Sequence, residues 1–304
     1  MEYTRLVKDA ASRMGFDFVG IAQAKRLDAE ADRLEQWLAQ DHHGKMSYME
    51  NYFDKRVDPT KLVPGAKSVV SLMYNYHNPN KQSDPDAPKI SQYAYGKDYH
   101  IVIKEKLRDL MAYLSGEIGE ISGRCFVDSA PVMEREWAKK SGIGWTGKNT
   151  LLINPKAGSY FFLAELIIDL ELDPDHGIRD HCGTCTRCID ACPTDAIAPD
   201  GYVLDSRKCI SYITIELREA IPSTFNGQLE NWMFGCDICQ EVCPWNRFSS
   251  RHQESAFEPR EELLGMQKRE WQELTEEVFK QVFKGSAVKR TKFAGLKRNI
   301  EFLK

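Results

Sequence analysis

The chain lacks any long uninterrupted apolar run. Its most apolar stretch, LLINPKAGSYFFLAELIIDL, is broken by Asn154, Pro155 and Lys156, so no membrane span is expected. The N-terminal MEYTRLVKDAASRMGF mixes charges with apolar residues and has no apolar core of the secretory kind, which points to a cytoplasmic protein without a membrane partner. A dominant charge of one sign is also missing. The formal net charge of −4 over 304 residues gives no global pull toward nucleic acid, so any basic surface must be local. No G-x-G-x-x-G follows a strand-like run, which leaves a dinucleotide fold unsupported. Repeats of solenoid period and low-complexity tracts are absent from the sequence. With 42% hydrophobic and 28% charged residues, the composition is that of a folded chain long enough for two domains.

Cysteine is what the chain has in excess. Nine cysteines without a secretory signal argue for metal ligation or catalysis over disulfides. Cys182, Cys185, Cys188 and Cys192 run C-x2-C-x2-C-x3-C and are followed by Pro193. In this bacterial ferredoxin pattern three close thiolates hold one cubane, and the fourth cysteine ligates the other cluster. A second set must therefore exist. Cys236, Cys239 and Cys243 run C-x2-C-x3-C before Pro244, with Cys209 upstream. The expected assignment places Cys182, Cys185, Cys188 and Cys243 on one 4Fe–4S cluster and Cys192, Cys209, Cys236 and Cys239 on the other. Zinc sites use paired C-x2-C units and would leave the triple CGTCTRC oddly loaded. Cys125 stands alone in an apolar run and reads as a buried free thiol. His181 reads as a donor beside a ligand rather than a ligand.

Two cubanes relay single electrons, and a carrier needs only about sixty residues for this cysteine pattern. The preceding stretch of roughly 170 residues therefore has other work, namely binding what receives the electrons. The expected fold class is mixed α+β or α/β. An N-terminal α/β domain spans 1–172, a bacterial-ferredoxin-type two-cluster domain 173–250, and a short helical C-terminal segment with a basic end 251–304. In the first domain, ADRLEQWLAQDHHG reads as a helix and AKSVVSLMYNY as a buried strand. DYHIVIKEKLRDLMAYLSGEIG reads as a long amphipathic helix, GRCFVD as a strand ending in Asp128, and APVMEREWAKKSG as the next helix. LLIN and SYFFLAELIID read as paired strands around PKAG. The last twenty-one residues carry seven basic side chains and one acidic one.

Three segments of the first domain look chemical. Lys55 and Arg56 precede a turn, and YAYGKDYH is aromatic and polar around Gly96. Asp128 stands at a strand end before a helix, where capping is the default role. GIGWTGKN sets glycines about Trp145 ahead of Lys148 and Asn149, which suits close backbone approach to a large polar ligand.

Taken together, six segments resemble one family: RVDPTKLVPGAKSV, YAYGKDYH, VDSAPVMER, GIGWTGKNTLLI, CISYITIEL and CDICQEVCPWN. In this order, and across almost the whole chain, they are similar to epoxyqueuosine reductase. The resemblance implies a cobalamin-dependent iron–sulfur enzyme of tRNA modification, related to reductive dehalogenases, whose N-terminal domain binds cobalamin and substrate. Its members reduce the epoxide of epoxyqueuosine to queuosine at the tRNA wobble position. Many carry a helical tail after the cluster domain, which would begin about where GLKRNIEFLK stands.

On that basis Asp128 is expected to act as general acid, its pKa raised by apolar Val127 and Pro131, with Glu134 as the runner-up. Arg56, Tyr95, Trp145, Lys148, Asn149 and Ser211, with Asp128, are the residues expected to hold cobalamin. Lys289, Arg290, Lys292, Lys297 and Arg298 form the basic strip expected to meet tRNA phosphates, with Trp245 and Arg247 at the mouth of the site. Further expectations are an external electron donor such as a flavodoxin or ferredoxin, and a monomer. The competing readings are a reductive dehalogenase and a non-catalytic electron carrier.

Overall fold

Four strands form the sheet on which the N-terminal part is built: Phe18–Gln23, Ser68–Asn75, Gly123–Phe126 and Phe161–Ile168. The computed structural model describes residues 2–304. The fourth strand lies between the second and the third, and every neighbouring pair is antiparallel. The fold is thus mixed α/β, with helices on both faces of an antiparallel sheet. Strand-like and helical segments alternate along the chain in a way that also suits parallel crossovers, so local pattern does not carry strand direction.

Two-residue alternation sorts the side chains. Phe162, Ala164, Leu166 and Ile168 join Val70 and Leu72 in a core closed by two helices. One is Glu2–Arg13, through Val7, Ala10 and Ala11; the other is Tyr99–Ile118, through Val102, Ile103, Leu107, Leu110 and Leu114. These helical positions recur at intervals of three and four, one apolar stripe facing the sheet.

The opposite face carries Met73, Ile167 and Leu163, and it packs beneath the helix Glu134–Lys140 through Trp137 and Ala138. Gly20, Ser71 and Glu165 are in register across that face. Helix and sheet approach so closely there that a Cβ on Gly20 would sit 2.1 Å from the Ser141 carbonyl oxygen. Gly20→Ala is therefore expected to destabilise the fold by about 1–3 kcal/mol. A chemical denaturation curve with unchanged midpoint would show that the helix shifts freely.

The expected pairing of LLIN with SYFFLAELIID is corrected by the structure. Leu152–Ile153 pairs with Trp145–Thr146, and Phe161–Ile168 enters the main sheet. The long apolar run seeks burial on both faces, which a two-stranded hairpin does not supply. Cys125 is only partly buried, with its thiol 3.6 Å from the Leu107 carbonyl oxygen.

The cysteine-rich stretch folds as short helices, including Arg187–Asp190, Ile210–Ile215 and Ile238–Glu241. It is tied to the first part by a parallel pairing of Lys89–Ile90 with Trp232–Phe234. Beyond residue 250 the chain is helical, and Trp271, Phe283, Leu296 and Ile300 share a core with Ala87, Ile90, Met233 and Phe234. Asn299, fully buried, donates to the carbonyls of Thr214 and Met233, each at 2.8 Å. This locks the helix Lys292–Phe302 onto the cysteine-bearing segment. No helix among the described residues is long and apolar enough to cross a membrane.

Candidate active site

Folding brings the eight cysteines of the two runs into two groups. The Cys188 thiol lies within electrostatic reach of Cys182, Cys243 and Cys185, and burial with these neighbours pushes it up to about 11. Cys239 is raised likewise by burial and by Cys209, Cys236 and Cys192. Cys243 thus faces the first run and Cys192 the second. Thiols that raise one another in a buried setting fit a centre that takes them as thiolates and spreads their charge over several irons.

The surroundings fit as well. Trp145 is 1% exposed, and its indole N–H has no hydrogen-bond partner among the described residues. It stands against the Cys182 thiol, positioned to donate to a thiolate. Its ring meets His181 and Trp245 edge-on at 5.1 and 4.9 Å, so His181 packs beside the cysteine run. The Lys148 ammonium donates to the Gly183 carbonyl at 2.8 Å and the Asn149 amide to the Cys239 carbonyl at 3.2 Å. Ser211 turns its hydroxyl and backbone N–H to the Cys209 thiol. Tyr95 lies near Asp237, between two of the cysteines. Five of the six residues expected to hold cobalamin, besides Asp128, therefore lie against the cysteine loops.

Arg56 sits elsewhere. It is 8% exposed, donates to the Tyr48 carbonyl at 2.8 Å, and leaves its Nε unpartnered among the described residues. Tyr48 feels the charges of Glu216, Arg290, Asp128 and Arg56 together, which places these groups round one site. Asp128 adopts φ 52°, a left-handed conformation that Asp tolerates better than most residues. It is not a helix cap: Met133 holds the cap position of Glu134–Lys140. Its backbone N–H instead donates to the Glu134 carboxylate. Its own carboxylate accepts from the Tyr99 hydroxyl at 2.6 Å and faces His100 Nε2 at 3.4 Å.

Tyr99 and His100 arrive there because Asp98 caps the long helix, accepting from the His100 backbone N–H at 3.0 Å. Asp98 also holds His100 Nδ1 at 2.8 Å. The Tyr99 ring stacks on Phe162 at 4.2 Å and 6°, which fixes its hydroxyl.

The protonation pattern reverses one expectation. The surrounding protein acts to raise Asp128, whose carboxylate stays 55% exposed, but hydrogen bonds from His100 and Tyr99 outweigh it and hold the carboxyl below its ordinary value. The protons sit on its neighbours. Burial acts to lower His100, yet its bonds to Asp128 and Asp98 carry it up to about 9. Glu134, the runner-up, is raised by burial and by the Asp128 charge.

The expected basic strip is not presented as one surface. The Arg298 guanidinium donates to the carbonyls of Ile213, Leu217 and Glu219. Lys297 donates to the Gln272 carbonyl at 2.7 Å. Both are tied to helix ends inside the fold, because exposed carbonyls there recruit nearby cations. Arg290 pairs with Glu216 at 2.8 Å and faces the Asp128 site. Lys289 and Lys292 are exposed. Arg247 lies over the Phe248 ring at 4.5 Å.

Tyr99, His100, Tyr48 and Glu216 are site residues that sequence reasoning did not assign. The first two lie within YAYGKDYH, where an Asp before an amphipathic run is a readable cap signal.

Comparison with known proteins bears on the same residues. Residues 56–129 match the family described as epoxyqueuosine reductase QueG, DUF1730. Residues 181–246 match the 4Fe-4S double cluster binding domain. The chain is 60% identical to the epoxyqueuosine reductase of Cyclobacterium marinum, covering all of this chain and 97% of that protein. It is 59% identical to that of Leadbetterella byssophila, covering all of this chain and 99% of that one. A crystal structure of epoxyqueuosine reductase with an epoxyqueuosine-modified tRNA stem loop superposes with a TM-score of 0.91 at 30% identity. That match covers 99% of this chain and 80% of the other.

Proposed function

The chain belongs to the epoxyqueuosine reductase family and is an oxidoreductase, and from that premise we propose that it removes the epoxide oxygen of epoxyqueuosine in a tRNA anticodon loop, in the cytoplasm. The observation that carries this is the proton-loaded Asp128–Tyr99–His100 group, set in one chain with two sets of four cysteines. Removing an epoxide oxygen breaks two C–O bonds, forms a carbon–carbon double bond and releases water. It consumes two electrons and two protons.

Bound cobalamin supplies low-potential nucleophilic chemistry at the strained ring, and the two 4Fe–4S clusters supply electrons one at a time. Cys182, Cys185, Cys188 and Cys243 would hold one cluster, and Cys192, Cys209, Cys236 and Cys239 the other. Trp145 and Ser211 donate to thiolates at the two clusters. Arg56, with its free Nε, would hold polar groups of cobalamin, and Tyr95, Lys148 and Asn149 would line the side nearer the clusters. The His100 imidazolium, charged at neutral pH, supplies the proton, and the Asp128 carboxylate joined to it relays that proton to the leaving oxygen. Arg290 stands ready for a phosphate of the bound loop, and Lys289 and Lys292 add screened attraction for the RNA backbone. A small one-electron donor of flavodoxin or ferredoxin type feeds the clusters of a monomer.

The test is a competition. Reduced, fully loaded protein is offered an anticodon stem-loop carrying epoxyqueuosine together with a halogenated phenol. Mass spectrometry is expected to show the RNA lighter by one oxygen, with no halide released. Halide release without RNA product would replace this reading with a dehalogenase.

A further inference from the structure

Glu165 is a carboxyl group that neither the fold nor the mechanism above accounts for. It stands in an otherwise apolar strand and is 0% exposed. Both of its oxygens lack a hydrogen-bond partner among the described residues. Strand alternation directs it to the face covered by Glu134–Lys140, opposite Ser71, whose buried hydroxyl is also unpartnered. There it faces the carboxyl of Glu134. Two ionised carboxylates are acceptors only and have no bond to offer one another. A single proton between them removes the conflict, since a protonated Glu165 donates to Glu134 and satisfies both.

The consequence reaches Asp128. Glu134 accepts the Asp128 backbone N–H, and this bond holds a non-glycine residue at φ 52°. In that turn, the Asp128 carboxylate meets Tyr99 and His100. Resting on the functional reading above, we propose that Glu165 is a positioning residue: it shares one proton with Glu134, and that proton keeps Glu134 in place to hold the Asp128 turn. The charged groups facing the pair are Asp128, across the turn, and His100, from the long helix. Burial and the like charges of Glu134 and Asp128 raise Glu165 well above the ordinary carboxyl range, in keeping with a proton retained at neutrality. Loss of that proton at high pH sets two buried anions against each other and frees the turn.

Two variants and one spectrum test this. Glu165→Gln replaces the proton with a permanent amide donor of the same shape. Glu165→Leu removes any donor. Infrared difference spectra of wild type against Glu165→Gln are expected to show, at pH 7, a carboxylic-acid C=O band present only in the wild type. Turnover of the loaded Gln variant is expected to match wild type at pH 7 and to lose part of the alkaline decline. The Leu variant is expected to fall by about 10²-fold, the scale of a displaced catalytic group, with iron and cobalamin contents unchanged. Absence of the acid band would overturn the proposal, as would a Leu variant turning over like wild type or a Gln variant as impaired as Leu. If Leu does not fold, the spectrum and the Gln pH profile decide. The spectrum reads the proton without substrate, so this inference and the functional reading fail separately.

Discussion

Asp128→Asn is expected to lower turnover by about 10²–10⁴-fold, the range of a positioned proton-transfer group, while iron, sulfide and cobalamin contents stay at wild-type levels. Three contacts converge on this one residue. The carboxylate accepts from Tyr99 at 2.6 Å and faces His100 at 3.4 Å, and the backbone N–H is held by Glu134. Asparagine keeps the size and the left-handed turn but cannot pass a proton.

The pH dependence moves with it. His100 rises from 6.5 to about 9 because its bonds to Asp128 and Asp98 outweigh burial. A group raised on folding contributes stability that is fully present below its unfolded pKa. That contribution is lost as pH rises through the folded value. In the wild type both the charge of His100 and its share of stability therefore persist through neutrality and disappear toward about pH 9. In Asp128→Asn the residual activity is expected to decline at lower pH, because one of the two acceptors that raise His100 is gone. Single-turnover rates across pH read this directly. An unchanged rate removes Asp128 from the reaction, and an unmoved alkaline limb breaks its link to His100.

The second large effect concerns the cysteines. Wild-type protein is expected to carry about eight irons and eight sulfides per chain. The double variant Cys185→Ser with Cys243→Ser is expected to retain about four irons, since both residues serve the same cluster in the crossed arrangement. If each run instead served its own cluster, this double variant would lose both. Cys185→Ser with Cys192→Ser is the mirror case: the crossed arrangement is expected to lose both clusters, whereas runs that each served their own cluster would keep about four irons. Turnover should vanish in all of these, because the relay is broken, so iron content and the electron paramagnetic resonance of the reduced protein carry the distinction.

What was legible in the sequence follows from how local each signal is. Cysteine spacing is a covalent ruler from which the crossed pattern is read, and in the fold Cys243 lies near Cys182 and Cys185, and Cys192 near Cys236. The position of Asp128 at a strand end was also legible, but its protonation was not. Tyr99 and His100 lie 29 and 28 residues away, and only the Asp98 cap brings them to it. Charge counting marked Lys297 and Arg298 as free cations, yet backbone carbonyls exposed at helix ends claim both. Glu165 left a trace in the sequence, a single acid inside SYFFLAELIIDL. Its meaning depended on the strand register that turns it toward Glu134.

The most direct measurement is anaerobic turnover of an epoxyqueuosine anticodon stem-loop by reconstituted protein under a strong reductant, with and without added cobalamin. Queuosine formed only in the arm with cobalamin is the predicted result. No queuosine in either arm, with both clusters assembled, or equal queuosine in both, would contradict the account.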